Sequence, residues 1–275
     1  MRVLVTGGTG FVGSHIARTL IESDHNIRLL VRSPDKARAH FDSLALPTPD
    51  LVQGDVTDPH SIAAALSECD AVVHTASSPS IHTGDTRQLF RVNVQGTANV
   101  IGAAVDSGIT RIVHLSSLTA IFNTDANRVN ETSPLTRSRM PYGRSKVEAE
   151  KRVRDLQDQG RPVATVYPAA VIGPDDPAMS DAFKSLIHRF NEGFRITEGG
   201  MQYIDVRDLA EFVVALLEAG ETRGRHLVPG PFTHWADLAE LLEEVAGYAL
   251  QKVPARGWVF RAVGRFYDIK RRRSE

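Results

Sequence analysis

The feature that most constrains the fold lies at the start of the chain, in Val3-Leu4-Val5-Thr6-Gly7-Gly8-Thr9-Gly10-Phe11-Val12-Gly13. A short β-branched run enters a turn with glycines at 7, 10 and 13. Apolar residues then recur at Val12, Ile16 and Leu20, the spacing of one helix face. In such a turn the first glycine permits the tight reversal, the second lets backbone approach a ligand, and the third lets strand and helix pack closely. The unpaired N–H groups and macrodipole at the helix start favour a negative group. Gly7, Thr9, Gly10, Phe11, Val12 and Gly13 are therefore candidates for holding the pyrophosphate of a dinucleotide, although a purely structural turn also uses glycines in this way.

Further short apolar runs follow at Ile27–Val31, Leu51-Val52, Ala71–Val73, Ile112-Val113 and Val163–Val166. Most lack polar alternation, as strands buried on both faces do. Helical spacing separates them, most clearly over 87–107 and 142–158. Alternating strands and helices predict an α/β fold with a doubly wound parallel sheet. Beyond Tyr167 the pattern loosens at Gly173-Pro174 and Asp176-Pro177. Helices are expected over 181–190, 207–217, 233–246 and 257–270, with short strands at 203–205 and 226–228. The expected division is a dinucleotide-binding domain over 1–167, rejoined by elements near 201–219, and a mainly substrate-binding lid region over 168–275.

The 275 residues suffice for one large α/β domain with a modest appendage. A net charge of -1 gives no global field for nucleic acid. The single cysteine, Cys69, excludes an intramolecular disulfide framework and a multi-cysteine metal site, and no metal is expected. No run approaches the roughly 18 apolar residues that span a bilayer. The stretch before the glycine turn is far too short for a secretory signal core, so a cytoplasmic protein is expected.

The second strand ends Leu29-Leu30-Val31-Arg32-Ser33, with no acid at its tip. An acid there suits the ribose 2′-OH of NAD, whereas an arginine suits a 2′-phosphate. Arg32 therefore favours NADP(H), while Asp35 keeps NAD(H) open; Arg32 also reads as an ordinary exposed arginine. Pro141 opens a helix on which Tyr142 and Lys146 stand four apart and share a face. A nearby ammonium stabilises a phenolate, which suits Tyr142 to proton exchange with a carbonyl or alcohol. The pair alone is common on exposed helices. Upstream, Ile112-Val113-His114-Leu115 ends in Ser116-Ser117, where a hydroxyl can serve a substrate oxygen or simply cap the chain.

Taken together, these segments resemble the extended short-chain dehydrogenase/reductase family over nearly the whole chain. Thr6–Gly13 matches its TGxxGxxG loop, Gly54-Asp55-Val56 its adenine-side segment, and Asn93-Val94-Gln95-Gly96-Thr97 its NVxGT helix. His74-Thr75-Ala76-Ser77 resembles the segment beneath the cofactor, and Tyr167–Pro174 the RPxxVYGP turn. The resemblance implies a Rossmann sheet and a triad of Ser117, Tyr142 and Lys146, with Asn93 supporting the active site. It implies that Asp55 and Val56 touch the adenine, Ala76 lines the cofactor, Lys146 also holds the ribose, and Pro168 and Val171 flank the nicotinamide. Tyr167 stands where an arginine is common, and Phe122 where a tyrosine-glycine turn often begins. His74 reads as a packed histidine at a strand end, with no catalytic role.

Dehydratases of the family carry an Asp-Glu pair after the active-site hydroxyl, whereas here Leu118-Thr119-Ala120 follows Ser117. Pro168-Ala169-Ala170 replaces the asparagine-bearing motif of the epimerases, and Val31-Arg32-Ser33-Pro34 resembles dihydroflavonol-reductase-like enzymes. The expected activity is hydride transfer with a small carbonyl or alcohol substrate, its pocket shaped in part by the 77–87 loop. The alternatives are a sugar-nucleotide epimerase or dehydratase and a non-catalytic cofactor sensor. Analogy with relatives suggests a homodimer through the helices at 87–107 and 142–158. The basic, amphipathic stretch from Val259 to Arg273 reads as a helix packed on the lid, with membrane-surface binding as the alternative. Many family members continue beyond this point, so a shortened C-terminus is a further expectation.

Overall fold

A computed structural model describes residues 1–78, 86–124, 126–220, 222–254 and 257. The chain opens with β1 (Arg2–Thr6), α1 (Phe11–Glu22), β2 (Asn26–Val31), α2 (Pro34–Ser43), β3 (Asp50–Gln53), α3 (Pro59–Leu66) and β4 (Ala71–His74). It continues through α4 (Thr86–Phe90), a π-helical turn (Arg91–Gly96), α5 (Thr97–Asp106), β5 (Arg111–Leu115), α6 (Pro141–Asp158), β6 (Val163–Pro168) and β7 (Ala170–Ile172). The later elements are α7 (Asp181–Asn191), β8 (Phe194–Ile196), β9 (Gly200–Asp205), α8 (Val206–Glu218), β10 (Gly224–Val228), β11 (Phe232–His234), α9 (Trp235–Ala246) and β12 (Lys252–Pro254).

The chain divides into two compact units, 1–180 with 204–229 and 181–203 with 230–275. The first holds a seven-stranded sheet in the order β3-β2-β1-β4-β5-β6-β10. Every neighbouring pair in it is parallel. This is the expected doubly wound Rossmann sheet, and its strand order reverses between β1 and β4.

The apolar runs explain its two faces. Val3 and Val5 join Leu29, Val73, Val113 and Val166 under α1 and α8, with Ile16, Leu20, Leu209 and Val213 covering them. Leu4, Leu30, Val72, Ile112 and Val163 face the other way, under Ile62 of α3, Ile101 of α5 and Val153 of α6. Ile16 and Leu20 are fully buried, and each contributes about 1.5–3 kcal/mol. Register sets Thr6 opposite His74, His74 opposite His114, and Leu115 opposite Val166. The C-terminal ends of β1, β4, β5 and β6 therefore share one edge.

Two departures from the expected elements have local causes. The helix expected over 87–107 is broken by the π turn at Arg91–Gly96, the kind of interruption that recurs at functional sites. The helix expected from Thr233 begins instead at Trp235, because Thr233 pairs with Met201 in an antiparallel β11–β9 ladder. Helices α2 and α3 lie outside the apolar pattern, but each carries a cap followed by proline. Ser33 accepts from the Lys36 N–H at 3.5 Å, and Asp58 accepts from His60 and Ser61 at 3.1 and 3.3 Å.

The second unit has its own core of Phe194, Trp235, Ala239 and Leu250, with Leu186 and Phe190 against it. There β8 pairs with β12, and the Arg189 guanidinium lies 4.2 Å over the Trp235 ring. The stretch from Val259 to Arg273 and residues 79–85 of the 77–87 loop lie outside the described residues. No helix among the described residues is long and apolar enough to cross a membrane.

The start of α1 tolerates no added carbon at Gly13, where a Cβ would lie 2.2 Å from the Gly7 carbonyl oxygen. At Gly10 a Cβ would meet only that oxygen, at 3.3 Å. Gly13→Ala is expected to cost on the order of 3 kcal/mol in urea unfolding. Gly10→Ala should stay within about 1 kcal/mol of the parent. Equal losses would contradict this packing.

Candidate active site

The glycine turn closes on itself. Gly7 adopts φ +75, and a Cβ there would meet the Ala76 nitrogen at 2.7 Å. The Gly10 N–H donates to the Gly7 carbonyl at 2.9 Å. No side chain caps the N-terminus of α1 and no acid lies in its first turn. Exposed Gly10 presents bare backbone there, beside exposed Thr9. Phe11 and Val12, both half-buried, begin the helix, with the Phe11 ring edge-on to His15 at 5.7 Å. Directed N–H groups over open backbone are the donor set that an anionic pyrophosphate requires, so the residues fit a dinucleotide.

Arg32 stands exposed just beyond β2. Asp35 faces solvent, 97% exposed, and is paired with Arg38 at 2.9 Å. Two residues beyond β3, Asp55 accepts from the Thr57 N–H and hydroxyl, both at 2.8 Å. Burial pushes its carboxyl upward, but those bonds and the charges of Arg32 and Arg91 prevail, and it titrates below the ordinary aspartate range. Val56 is buried, and its carbonyl accepts from Asn99 at 3.1 Å.

Lys146 and Tyr142 lie on one turn of α6, the ammonium 6.0 Å from the phenol ring centre. Lys146 is 5% exposed and donates to the carbonyl of Leu115, the last residue of β5, at 3.3 Å. Burial pulls the ammonium down to about 8, against an upward pull from Glu150. Two residues beyond Leu115, the Ser117 hydroxyl accepts from the Thr119 N–H at 3.2 Å and the Thr119 hydroxyl at 2.9 Å. These bonds occupy its lone pairs and leave its own proton to donate. Pro168 ends β6 as a buried residue, and half-buried Val171 packs against the core beneath α1.

Asn93 lies in the π turn, buried, and acts as a clamp. Its carbonyl accepts from the Ser78 N–H at 2.7 Å and the Ser77 hydroxyl at 3.2 Å, while its amide donates to the Ser145 hydroxyl at 2.9 Å. It therefore holds the chain after β4 to the residue beside Lys146. Half-buried Ala76 follows β4, its N–H donating to the Thr6 hydroxyl at 3.4 Å.

His74 has a structural task that the sequence left undefined. The Thr97 hydroxyl donates to the Asn93 carbonyl at 2.7 Å, so it accepts from His74 Nε2–H at 3.0 Å. The opposite ring nitrogen, Nδ1, then accepts from the Thr6 hydroxyl at 2.7 Å. This chain links the glycine turn to the π turn and fixes one neutral tautomer. Burial, followed by repulsion from Lys146, takes His74 down to about 3.

Beside it, His114 stacks at 5.6 Å and is also held neutral, by burial and then by His74 and Lys146. Sequence reasoning passed over Glu150, which is 0% exposed and four residues beyond Lys146. The i, i+4 spacing was the available signal. Glu150 Oε1 accepts from the Tyr167 hydroxyl and, at 3.4 Å, from Arg154 Nε. The tyrosine standing where an arginine was expected thus has a defined partner.

A histidine whose folded pKa lies below its unfolded 6.5 stays neutral while the unfolded chain takes up a proton. Stability is then fully present above pH 6.5 and is lost as pH falls toward about 3, at up to ~1.4 kcal/mol per pH unit for one group. Urea unfolding from pH 7 to 4 should show this slope, and His74→Gln should flatten it by about one proton's worth. An unchanged slope would contradict the buried neutral assignment.

The model for the NAD dependent epimerase/dehydratase family matches residues 3–230. The chain belongs to that family. It is 31% identical over 252 residues to sterol demethylase protein B of Methylococcus capsulatus, covering 90% of this chain and 75% of that protein. It is 31% identical over 260 residues to cinnamoyl-CoA reductase 1 of Petunia hybrida, covering 88% and 76% of the two chains. A putative dihydroflavonol 4-reductase of Synechocystis is 32% identical over 222 residues, covering 79% of this chain and 63% of that protein. Among solved structures, the NAD complex of Thermus thermophilus UDP-glucose 4-epimerase superposes with a TM-score of 0.74 at 27% identity, covering 93% and 86%. The expected family resemblance and fold class both hold; the reductases and the epimerase among these relatives make it an enzyme family of oxidoreductase type.

Proposed function

We propose that the protein is a nicotinamide-dependent oxidoreductase that reduces the carbonyl of a small organic substrate, or oxidises the corresponding alcohol, with NADP(H) favoured over NAD(H). The observation that carries this reading is the Lys146 ammonium. It shares a helix turn with Tyr142 and bonds the carbonyl of Leu115, two residues before Ser117, at the C-terminal edge of the sheet. The α1 N-terminus with Gly7, Thr9, Gly10, Phe11, Val12 and Gly13 would hold the pyrophosphate, and Asp55, Val56 and Ala76 the adenine side. Lys146 would also hold the ribose, with Pro168 and Val171 beside the nicotinamide. When bound, the reduced nicotinamide supplies the hydride.

The remaining chemistry falls to the chain's own groups. Ser117 donates a hydrogen bond to the carbonyl oxygen as negative charge grows there and keeps its own proton. Tyr142 gives its phenolic proton to that oxygen, and the Lys146 ammonium stabilises the phenolate left behind. Asn93 positions these groups through Ser145 and the 77–78 segment. The absence of a carboxylate in Leu118-Thr119-Ala120 favours this transfer over dehydration. The unit formed by 181–203 and 230–275 is the proposed substrate-binding region.

With a panel of aldehydes and ketones, Tyr142→Phe should lower kcat by at least about 100-fold while dinucleotide affinity is kept. Equal background turnover in both proteins would favour a cofactor sensor. Arg32→Ala should weaken NADPH about tenfold or more, the loss of a charge-assisted hydrogen bond, with little change for NADH. Parallel losses for both would assign Arg32 no part in the choice.

A further inference from the structure

The residues given roles so far leave Glu150 unused, although it is the most deeply buried acid near the site. It stands one helical turn from Lys146 and one from Arg154, so a cation, an anion and a cation follow one another along one face of α6. Lys146 and Glu150 are 5% and 0% exposed. Among the described residues the ammonium donates to a neutral carbonyl, that of Leu115. A buried ammonium so placed needs an anion nearby to keep its proton.

We propose that Glu150 is the counter-charge that holds Lys146 as an ammonium, and is therefore a positioning residue for proton transfer at Tyr142. The proposal rests on the functional reading above only in its last clause.

The groups packed around Glu150 fit this role. From β6, Tyr167 donates its hydroxyl to Oε1. From α6, Arg154 reaches Oε1 through Nε at 3.4 Å, while its other nitrogens bond the Ser133 carbonyl at 3.3 and 3.2 Å and the Tyr167 oxygen at 3.1 Å. From β5, His114 Nε2 lies 3.9 Å from Oε2 but is held neutral by burial and the charges near it, so it supplies no competing cation. Ser116 at the end of β5 is buried beside the same carboxylate. Burial prevails and holds the Glu150 carboxyl above the ordinary glutamate range, while Tyr167, Ser116 and Arg154 offset part of that rise. Tyr167 itself stays a phenol, because burial and the adjacent carboxylate push it far above its ordinary range. The phenol adds no charge of its own, so the Glu150 carboxylate is shared between its ion pair with Arg154 and the field it exerts on Lys146.

The test reads Lys146 directly. Protein carrying lysine labelled with carbon-13 at Cε is titrated by NMR, with the Lys146 signal assigned by its loss in Lys146→Met. The parent Lys146 should titrate at about 8. In Glu150→Gln, which keeps an acceptor for Tyr167 and Arg154, the midpoint should fall by about one to three pH units. Tyr167→Phe, which removes the phenol donor, should move it the same way by less. If Glu150→Gln does not fold, Tyr167→Phe decides alone. An unmoved midpoint overturns the proposal.

Turnover separates this result from the functional reading. If that reading also holds, the alkaline limb of kcat moves to lower pH with the midpoint. A shifted midpoint with an unshifted limb leaves the charge coupling intact and overturns the role in proton transfer. A midpoint shift in a protein whose turnover survives Tyr142→Phe likewise confines Glu150 to charge coupling.

Discussion

A parallel sheet covered by helices on both faces is the constraint from which the rest follows. The strands of the larger unit that are buried on both faces carry mostly apolar residues, which fill the two cores beneath the helices. Polar groups with work to do are pushed to the strand ends. Because all neighbours are parallel and in register, the ends of β1, β4, β5 and β6 share one edge. The glycine turn, the Thr6–His74–Thr97 chain and the Ser116-Ser117 step all lie just beyond that edge. The reversal of strand order between β1 and β4 opens the sheet at the place where the turn presents its N–H groups.

The second feature is the density of buried polar groups behind that edge. His74, His114, Lys146, Glu150 and Asn93 are each 5% exposed or less. Such a concentration is costly in folding terms and is tolerated only where hydrogen bonds or opposite charges offset desolvation. His74 and Asn93 are satisfied by bonds to neighbouring elements. Among the described residues, both ring nitrogens of His114 and one oxygen of Glu150 are buried without a hydrogen-bond partner. These groups act on one another electrostatically: Lys146 lowers both histidines, and Glu150 raises Lys146.

Much of this was legible in the sequence because the signals are local. The glycine spacing, the apolar strands, the Tyr142–Lys146 pair and the two serines each depend on residues within about one turn or strand of one another. Helices α2 and α3 escaped an apolar reading because their buried faces are short, resting on Ala37 and Phe41 in one and on Ile62, Ala65 and Leu66 in the other. Their Ser33-Pro34 and Asp58-Pro59 caps were the better signal. The His74 network was not legible, since its threonine partners lie 68 and 23 residues away. The π turn is likewise invisible to a helical period, and Asn93 could be assigned only a supporting role until its bonds to Ser78 and Ser145 were seen. Glu150 sat at an ordinary helical spacing whose importance comes from burial, which α6 alone does not reveal.

The most direct measurement of the central claim is a crystal structure with oxidised NADP bound. The account predicts the pyrophosphate on the N–H groups at the start of α1, with the Tyr142 phenol and the Ser117 hydroxyl facing the reactive carbon of the nicotinamide. A dinucleotide bound away from the glycine turn, or a Tyr142 phenol turned from the nicotinamide, would contradict it.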